Sequence, residues 1–217
     1  MNLEQARFNM IEQQIRPWNV LDAGILALLA LVRREDFVPP AYRGLAFFDV
    51  EVPLGDGQVM LAPRVEARLL QEAQVHRHET VLEVGAGSGF MAALLAHRAR
   101  SVVSLEIRPE LVELATENLR RAGAINASVR QGDGAGGLPG EAPFDVIMLS
   151  GSVAAVPQAL LDRIKPNGRL LAIVGNEPMM SAVRITRLAE RSFRTEALFD
   201  TVAMRLDGFV EPGLFRF

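Results

Sequence analysis

Residues Glu83-Val84-Gly85-Ala86-Gly87-Ser88-Gly89 carry the sharpest chemical signal in the chain. An apolar run, Thr80 to Val84, precedes the glycines and a helix-patterned run, Phe90 to Arg98, follows them, which places them on a strand-to-helix turn. Glycine at such a turn lets a ligand approach the backbone closely where the helix begins. A dinucleotide fingerprint needs Gly-x-Gly-x-x-Gly, and Phe90 stands at its third glycine. A phosphate-cradling loop needs a closing Gly-Lys-Ser/Thr, which is absent. NAD and ATP are both disfavoured. Glu106 ends the next predicted strand, Ser101 to Glu106, where an acid can accept from both hydroxyls of a ribose.

What remains is Glu-x-Gly-x-Gly-x-Gly, which resembles the nucleoside-binding turn of S-adenosylmethionine-dependent methyltransferases. Asp133, in Gln131-Gly132-Asp133-Gly134, falls where that family places an acid that receives the adenine amino group. Further landmarks occur in order: Arg33-Arg-Glu-Asp-Phe-Val-Pro, Val52-Pro-Leu-Gly-Asp-Gly-Gln, Pro63, Val81 to Phe90, Gly132-Asp-Gly and Pro143-Phe-Asp. Together they resemble the protein-L-isoaspartate O-methyltransferase family. That resemblance implies S-adenosyl-L-methionine as cofactor, no metal, and a damaged protein or peptide as substrate, methylated on the stray carboxylate of L-isoaspartyl (D-aspartyl) residues. It implies cofactor contacts at Gln58, Val59, Met60, Glu83, Gly85, Ala86, Gly87, Ser88, Gly89, Glu106, Ile107, Gly132, Asp133 and Gly134.

One departure bears on the acceptor. Where the family reads Thr-Ile-Ser-x-Pro, this chain reads Val59-Met60-Leu61-Ala62-Pro63, so Leu61 stands at the family's active-site serine. A carboxylate is already ionised at pH 7 and needs no general base, so the missing hydroxyl costs orientation and not activation. Two alternatives stay open: a methyltransferase for a small molecule, of the precorrin type, and a cofactor-binding homologue without activity. Other constellations are weak. His76, His78 and His97 lack the spacing of a metal site. Ser88 lacks the Gly-x-Ser-x-Gly frame of a hydrolase nucleophile, since Ala86 takes the first glycine position. Trp18, Phe47 and Phe48 are candidates for covering the cofactor cleft.

The elements that must hold these residues follow from periodicity. Leu3, Ala6, Met10, Ile11 and Ile15 predict a first helix that the Arg16-Pro17-Trp18 break ends. Asp22 caps a second, running through Val32, and Pro63 opens a third that turns Val65, Leu69 and Ala73 inward. Residues 42–58 read as an irregular segment. From Thr80 onward strands and helices alternate: strands at Thr80 to Val84, Ser101 to Glu106, Ala127 to Arg130, Phe144 to Leu149 and Leu170 to Val174, with helices at Phe90 to Arg98, Pro109 to Ala122 and Val156 to Ile164. Val183 to Leu188 and Leu198 to Leu206 then predict an antiparallel hairpin edge. The expectation is an α/β fold of the Rossmann-like type, a doubly wound, mostly parallel sheet with an antiparallel C-terminal edge and N-terminal helices. It is read as one methyltransferase domain over 1–217, comprising an N-terminal and substrate-loop segment (1–78), a cofactor core (79–175) and C-terminal strands (176–217).

Composition sets the outer bounds. In 217 residues, 49% are hydrophobic, 23% are charged, the net charge is −3 and cysteine is absent, which excludes a disordered chain, a disulfide framework and a thiolate nucleophile. Lys165 is the single lysine, and acids are interleaved with the arginines throughout, so nucleic acid is not expected as a partner. No run approaches the roughly 18 apolar residues of a membrane span, and a cytoplasmic location is expected. The oligomeric state stays open.

Overall fold

The computed structural model describes residues 2–138 and 140–211. A seven-stranded sheet forms the centre, with β3 (Thr80–Val84), β4 (Ser101–Glu106), β5 (Ala127–Gln131), β6 (Phe144–Val153), β7 (Ile164–Asn176), β8 (Met179–Ala189) and β9 (Ser192–Asp200) in the order β5-β4-β3-β6-β7-β8-β9. Pairings from β5 through β7 are parallel, and β8 and β9 add antiparallel to β7. The fold is therefore the expected mostly parallel sheet with an antiparallel edge. Chain order reverses at β3, between β4 and β6, and open α/β sheets bind ligands at the carboxyl ends beside such a switch. The glycine turn leaves β3 at that point.

Alternation along the strands divides the core in two. Val81, Val146, Met148, Leu171 and Ile173 face one layer, which also contains Met10, Ile25, Leu29 and Leu69 from the N-terminal helices. Leu82, Val84, Ile147, Leu149, Leu170 and Ala172 face the other. On the first face lie α1 (Leu3–Met10), α2 (Ala23–Leu31) and α3 (Pro63–Ala73). Asp22 caps α2 through the Ile25 N–H at 3.0 Å, and Pro63 opens α3, as expected. Helix α4 (Phe90–Ala96) is buried throughout, and α5 (Pro109–Arg121) buries Leu111, Ala115 and Leu119, spaced four apart.

Four expectations are corrected. The first helix passes after Met10 into a π turn (Ile11–Ile15) and a 3-10 turn (Arg16–Trp18), so its path bends before Asn19, at φ 60°, stops it. Residues 42–58 are partly regular: a 3-10 segment ends at Phe47, and β1 (Val52–Gly55) pairs antiparallel with β2 (Gln58–Met60) around Asp56-Gly57, both at positive φ. The helix expected over 156–164 is the short α6 (Gln158–Leu161), because Ile164 already pairs with Phe144 in the sheet. The last strand is β9 and not 198–206, because the hairpin turns at Glu190-Arg191, pairs Ala189 with Ser192 and runs out of partner at Asp200. Residues 201–206 leave the sheet and return at one parallel bridge, Arg205 to Ser152.

Candidate active site

Three strand ends are tied together by the residues that matter. Leu105 O of β4 accepts from the N–H groups of Gly85 and Ala86, at 2.8 and 3.2 Å, holding the turn after β3 against its neighbour. The Glu106 carboxylate accepts from the Gly87 N–H at 2.9 Å and the Arg108 N–H at 3.1 Å, and its own carbonyl accepts from Gly132 after β5 at 2.9 Å. Gly85 and Gly87 sit at φ 90° and 51°, where a side chain is strained. A Cβ on Gly134 would strike Val84 at 2.1 Å, so glycine is also required in the turn that follows β5.

Along this seam runs a cleft lined by Leu54, Gln58, Val59, Val84, Gly85, Gly87, Leu105, Glu106, Ile107, Leu111, Gly132, Gly134, Ser150, Leu206 and Asp207. Eight of the expected contacts meet there: Gln58, Val59, Gly85, Gly87, Glu106, Ile107, Gly132 and Gly134. The others lie elsewhere. Met60 and Ala86 are buried, as is Ser88, whose carbonyl accepts from Asn118. Gly89 packs against the backbone of Ala115, and Asp133 accepts from the Ala135 N–H as the cap of a short turn. Glu83 lies beneath the cleft, fully buried, receiving the hydroxyls of Ser104 at 2.5 Å and Ser150 at 2.7 Å. Burial pushes its carboxyl up to about 8 against those hydrogen bonds, with Glu66 and Glu106 adding repulsion. Trp18 packs on Phe199 and under Arg64, Phe47 is core and Phe48 is exposed; none of them lines the cleft. His76 pairs with Glu79 at 3.5 Å, and the described residues hold no group of three metal-ligating side chains.

Besides the apolar Leu54, Val84, Leu105 and Leu111, sequence reasoning misses Ser150, Leu206 and Asp207. Ser150, near the carboxyl end of β6 next to β3, was available from the switch-point rule. The other two arrive from a distant segment with no local signal. Leu206 reaches 2.6 Å from where a Cβ on Gly85 would stand, and Asp207 pairs with Arg108 at 2.7 Å and receives Gln58 at 3.3 Å. Free space in the cleft is only about 50 Å³, against roughly 300 to 1,000 Å³ for ordinary ligand pockets. The backbone cradle and the acid at the β4 end suit a nucleoside, and Leu206 occupies the space over Gly85.

Beside the cleft opens a larger cavity of about 980 Å³, lined by Leu61 and Arg64 from the loop before and the start of α3, by Glu51, and by residues 201–205. Leu61, in the family's serine position, is buried, and its carbonyl accepts from Arg34 at 2.6 Å. Arg34 is itself buried, paired with Glu66 and lying 5.2 Å from the centre of the Phe90 ring. Burial drives Glu66 up to about 7, opposed by Arg34. Glu51 is also raised, chiefly by burial and further by Glu177, while the Met204 N–H pulls the other way.

A mostly parallel sheet with a glycine turn and an acid at adjacent strand ends defines the class as a Rossmann-like, nucleoside-binding α/β protein. A solved Plasmodium falciparum chain in complex with S-adenosyl-L-homocysteine superposes with a TM-score of 0.77 over 93% of this chain and 98% of its own, at 20% identity. The family model for protein-L-isoaspartate(D-aspartate) O-methyltransferase matches residues 5–205. Protein-L-isoaspartate O-methyltransferase of Methanoculleus marisnigri is 38% identical over 192 residues, spanning 88% of this chain and 86% of the relative. That of Myxococcus xanthus is 43% identical over 156 residues, 72% and 74% of the two chains. The chain belongs to the protein-L-isoaspartate(D-aspartate) O-methyltransferase family.

Proposed function

We propose that this protein transfers a methyl group from S-adenosylmethionine to the side-chain or main-chain carboxylate of an L-isoaspartyl or D-aspartyl residue in a damaged protein. One observation carries the reading: the β1–β2 hairpin, which bears the family landmark, sends Gln58 and Val59 into the narrow cleft and continues directly to Leu61 in the larger cavity. Cofactor and acceptor sites are thereby supported as neighbours on one loop. The cofactor supplies an electrophilic methyl on a sulfonium; Glu106, Gly85, Gly87, Gly132 and Gln58 are the groups to hold its nucleoside. Glu106 would accept from the ribose, Leu54, Ile107 and Leu111 would shield it from water, and Leu61 would present an apolar wall to the acceptor. The carboxylate attacks without a base, so alignment and exclusion of water supply the rate. We read 1–217 as one catalytic domain. Among the described residues no helix is long and apolar enough to cross a membrane.

The test is tritiated methyl transfer to an isoaspartyl peptide and to its aspartyl control. Transfer to the first alone is expected, with a gain of up to roughly tenfold in Leu61→Ser, since one restored hydrogen bond contributes about 0.5 to 1.5 kcal/mol. Silence of both proteins while S-adenosylhomocysteine binds sinks the acceptor assignment.

A further inference from the structure

Residues 203–207 form an extended strap between the two spaces. Ser152 donates its N–H to Met204 O at 2.8 Å and its hydroxyl to Ala203 O at 2.8 Å, and it accepts from the Leu206 N–H at 2.9 Å. The strap passes from one space to the other between Arg205 and Leu206: residues 201–205 line the acceptor cavity, and Leu206 and Asp207 line the cofactor cleft.

The guanidinium of Arg205 is oriented by protein acceptors on its far side. One terminal nitrogen donates to Gly175 O at 3.0 Å and more weakly to Ser152 Oγ at 3.4 Å; the other donates to Asn176 Oδ1 at 2.7 Å. Its Nε lies 2.7 Å from a carboxylate oxygen of Glu211, a side chain that is 52% exposed. The second cation of the cavity is differently placed. Arg64 is paired with Asp49 and stacked 4.2 Å from the centre of the Trp18 ring, so its charge is committed to the framework. Arg205 is thus a fixed cation, one residue from the cofactor cleft, whose carboxylate partner comes from an exchangeable, solvent-facing side chain.

We propose that Arg205 anchors the acceptor's carboxylate, and that Glu211 occupies that place until an isoaspartyl residue displaces it. This rests on the isoaspartyl reading and extends it to a residue. It also answers the departure at Leu61: orientation that a hydroxyl would provide from α3's approach comes from the opposite wall, as a charge-assisted contact. The other acids of the cavity sharpen the role. Glu51 and Glu177 repel an incoming carboxylate, Asp49 is neutralised by Arg64, and Arg205 is where an anion gains most.

The experiment measures steady-state kinetics on an isoaspartyl peptide, together with calorimetric affinity for S-adenosylhomocysteine, in full-length wild type, Arg205→Ala, Arg205→Lys, Glu211→Gln and the Arg205→Ala/Glu211→Gln double variant. Arg205→Ala is expected to raise KM roughly 10- to 100-fold, with kcat at saturation and cofactor affinity little changed. Arg205→Lys falls between, because an ammonium keeps the charge and loses the fork. Glu211→Gln lowers KM in the wild-type background and has no effect without Arg205. An unchanged KM in Arg205→Ala overturns the proposal, as does a Glu211→Gln effect of equal size in both backgrounds. Should Arg205→Ala fail to fold, the Glu211→Gln result decides, since that side chain is exposed: an unmoved KM refutes the displacement. A wild type that binds S-adenosylhomocysteine and leaves the peptide unmethylated fails the acceptor reading itself, and the role of Arg205 falls with it.

Discussion

Glu106→Gln separates two jobs that one carboxylate performs. In the structure both oxygens are used: one receives the Gly87 N–H and the other the Arg108 N–H. Hydrogen bonds to a charged acceptor contribute about 1.5 to 3 kcal/mol each. Glutamine keeps one carbonyl oxygen, and with it one bond at neutral strength, about 0.5 to 1.5 kcal/mol. Its NH2 then faces the other backbone N–H, donor against donor. The turn should therefore lose roughly 2 to 4 kcal/mol of folding stability, read as a lower urea midpoint at unchanged m. If the same carboxylate also receives the ribose hydroxyls, affinity for S-adenosylhomocysteine falls by a further 1 to 3 kcal/mol or so, about 5- to 150-fold. Calorimetry on the folded variant, at a denaturant-free temperature well below its midpoint, gives that number independently of the stability loss. An unchanged Kd alongside a lowered midpoint refutes the ribose role and leaves Glu106 as a turn anchor only.

Two further outcomes follow from the buried acids. Glu83 is raised to about 8 and Glu66 to about 7, both above their unfolded value near 4.5. The native state keeps protons that the unfolded chain has released, so their contribution is fullest below pH 4.5 and is lost as pH rises toward 8, at about 1.4 kcal/mol per pH unit and retained proton. Urea midpoints between pH 5 and 8 should fall in wild type and fall less steeply in Glu83→Gln; parallel curves would contradict a neutral Glu83. Arg34→Met removes the donor to Leu61 O and the partner of Glu66; at pH 8, where Glu66 is charged in the wild type, the expected loss is about 3 to 5 kcal/mol, and it is smaller at pH 5, where the carboxyl is protonated. At 2 to 4 °C per kcal/mol for a chain of this size, roughly 6 to 20 °C in Tm is the readout. A negligible shift means that burial there is far less complete than the packing implies.

The parts of the fold legible in the sequence are those in which local pattern and tertiary role coincide. Strand β3 is buried on both faces, with Val81 in one core layer and Leu82 and Val84 in the other, and Gly85 and Gly87 stand at positive φ where a side chain is strained. Asp22 and Pro63 mark helix starts through chemistry confined to one turn. The misplaced last strand fails for a different reason: Leu198 to Leu206 alternates well enough, but register is fixed by the turn at Glu190-Arg191, which has no strong turn signature. Asp133 caps the short turn after β5 with one carboxylate oxygen, a use that the sequence position alone does not announce. Leu206, Asp207 and Arg205 have no signal at all in their own neighbourhood. Their positions depend on partners distant in the chain, among them Ser152, Gly175, Asn176 and Arg108.

That bridge gives the two sites a common hinge, and with it a thermodynamic debt. Were Leu206 to leave the glycine turn as the cofactor enters, two main-chain hydrogen bonds at Ser152, the exposed Arg108–Asp207 pair and part of one leucine's burial would be given up. The sum is about 2 to 4 kcal/mol, which cofactor binding would have to offset. Leu206 and Arg205 share the backbone contacts at Ser152, while the Arg205 guanidinium keeps its own bonds to Gly175 O and Asn176. By linkage, an acceptor that favours the withdrawn strap tightens the cofactor by the same factor as the cofactor tightens it. Occupancy of the enzyme would then track the abundance of damaged acceptors as much as the supply of methyl donor, and an idle molecule would stand largely closed.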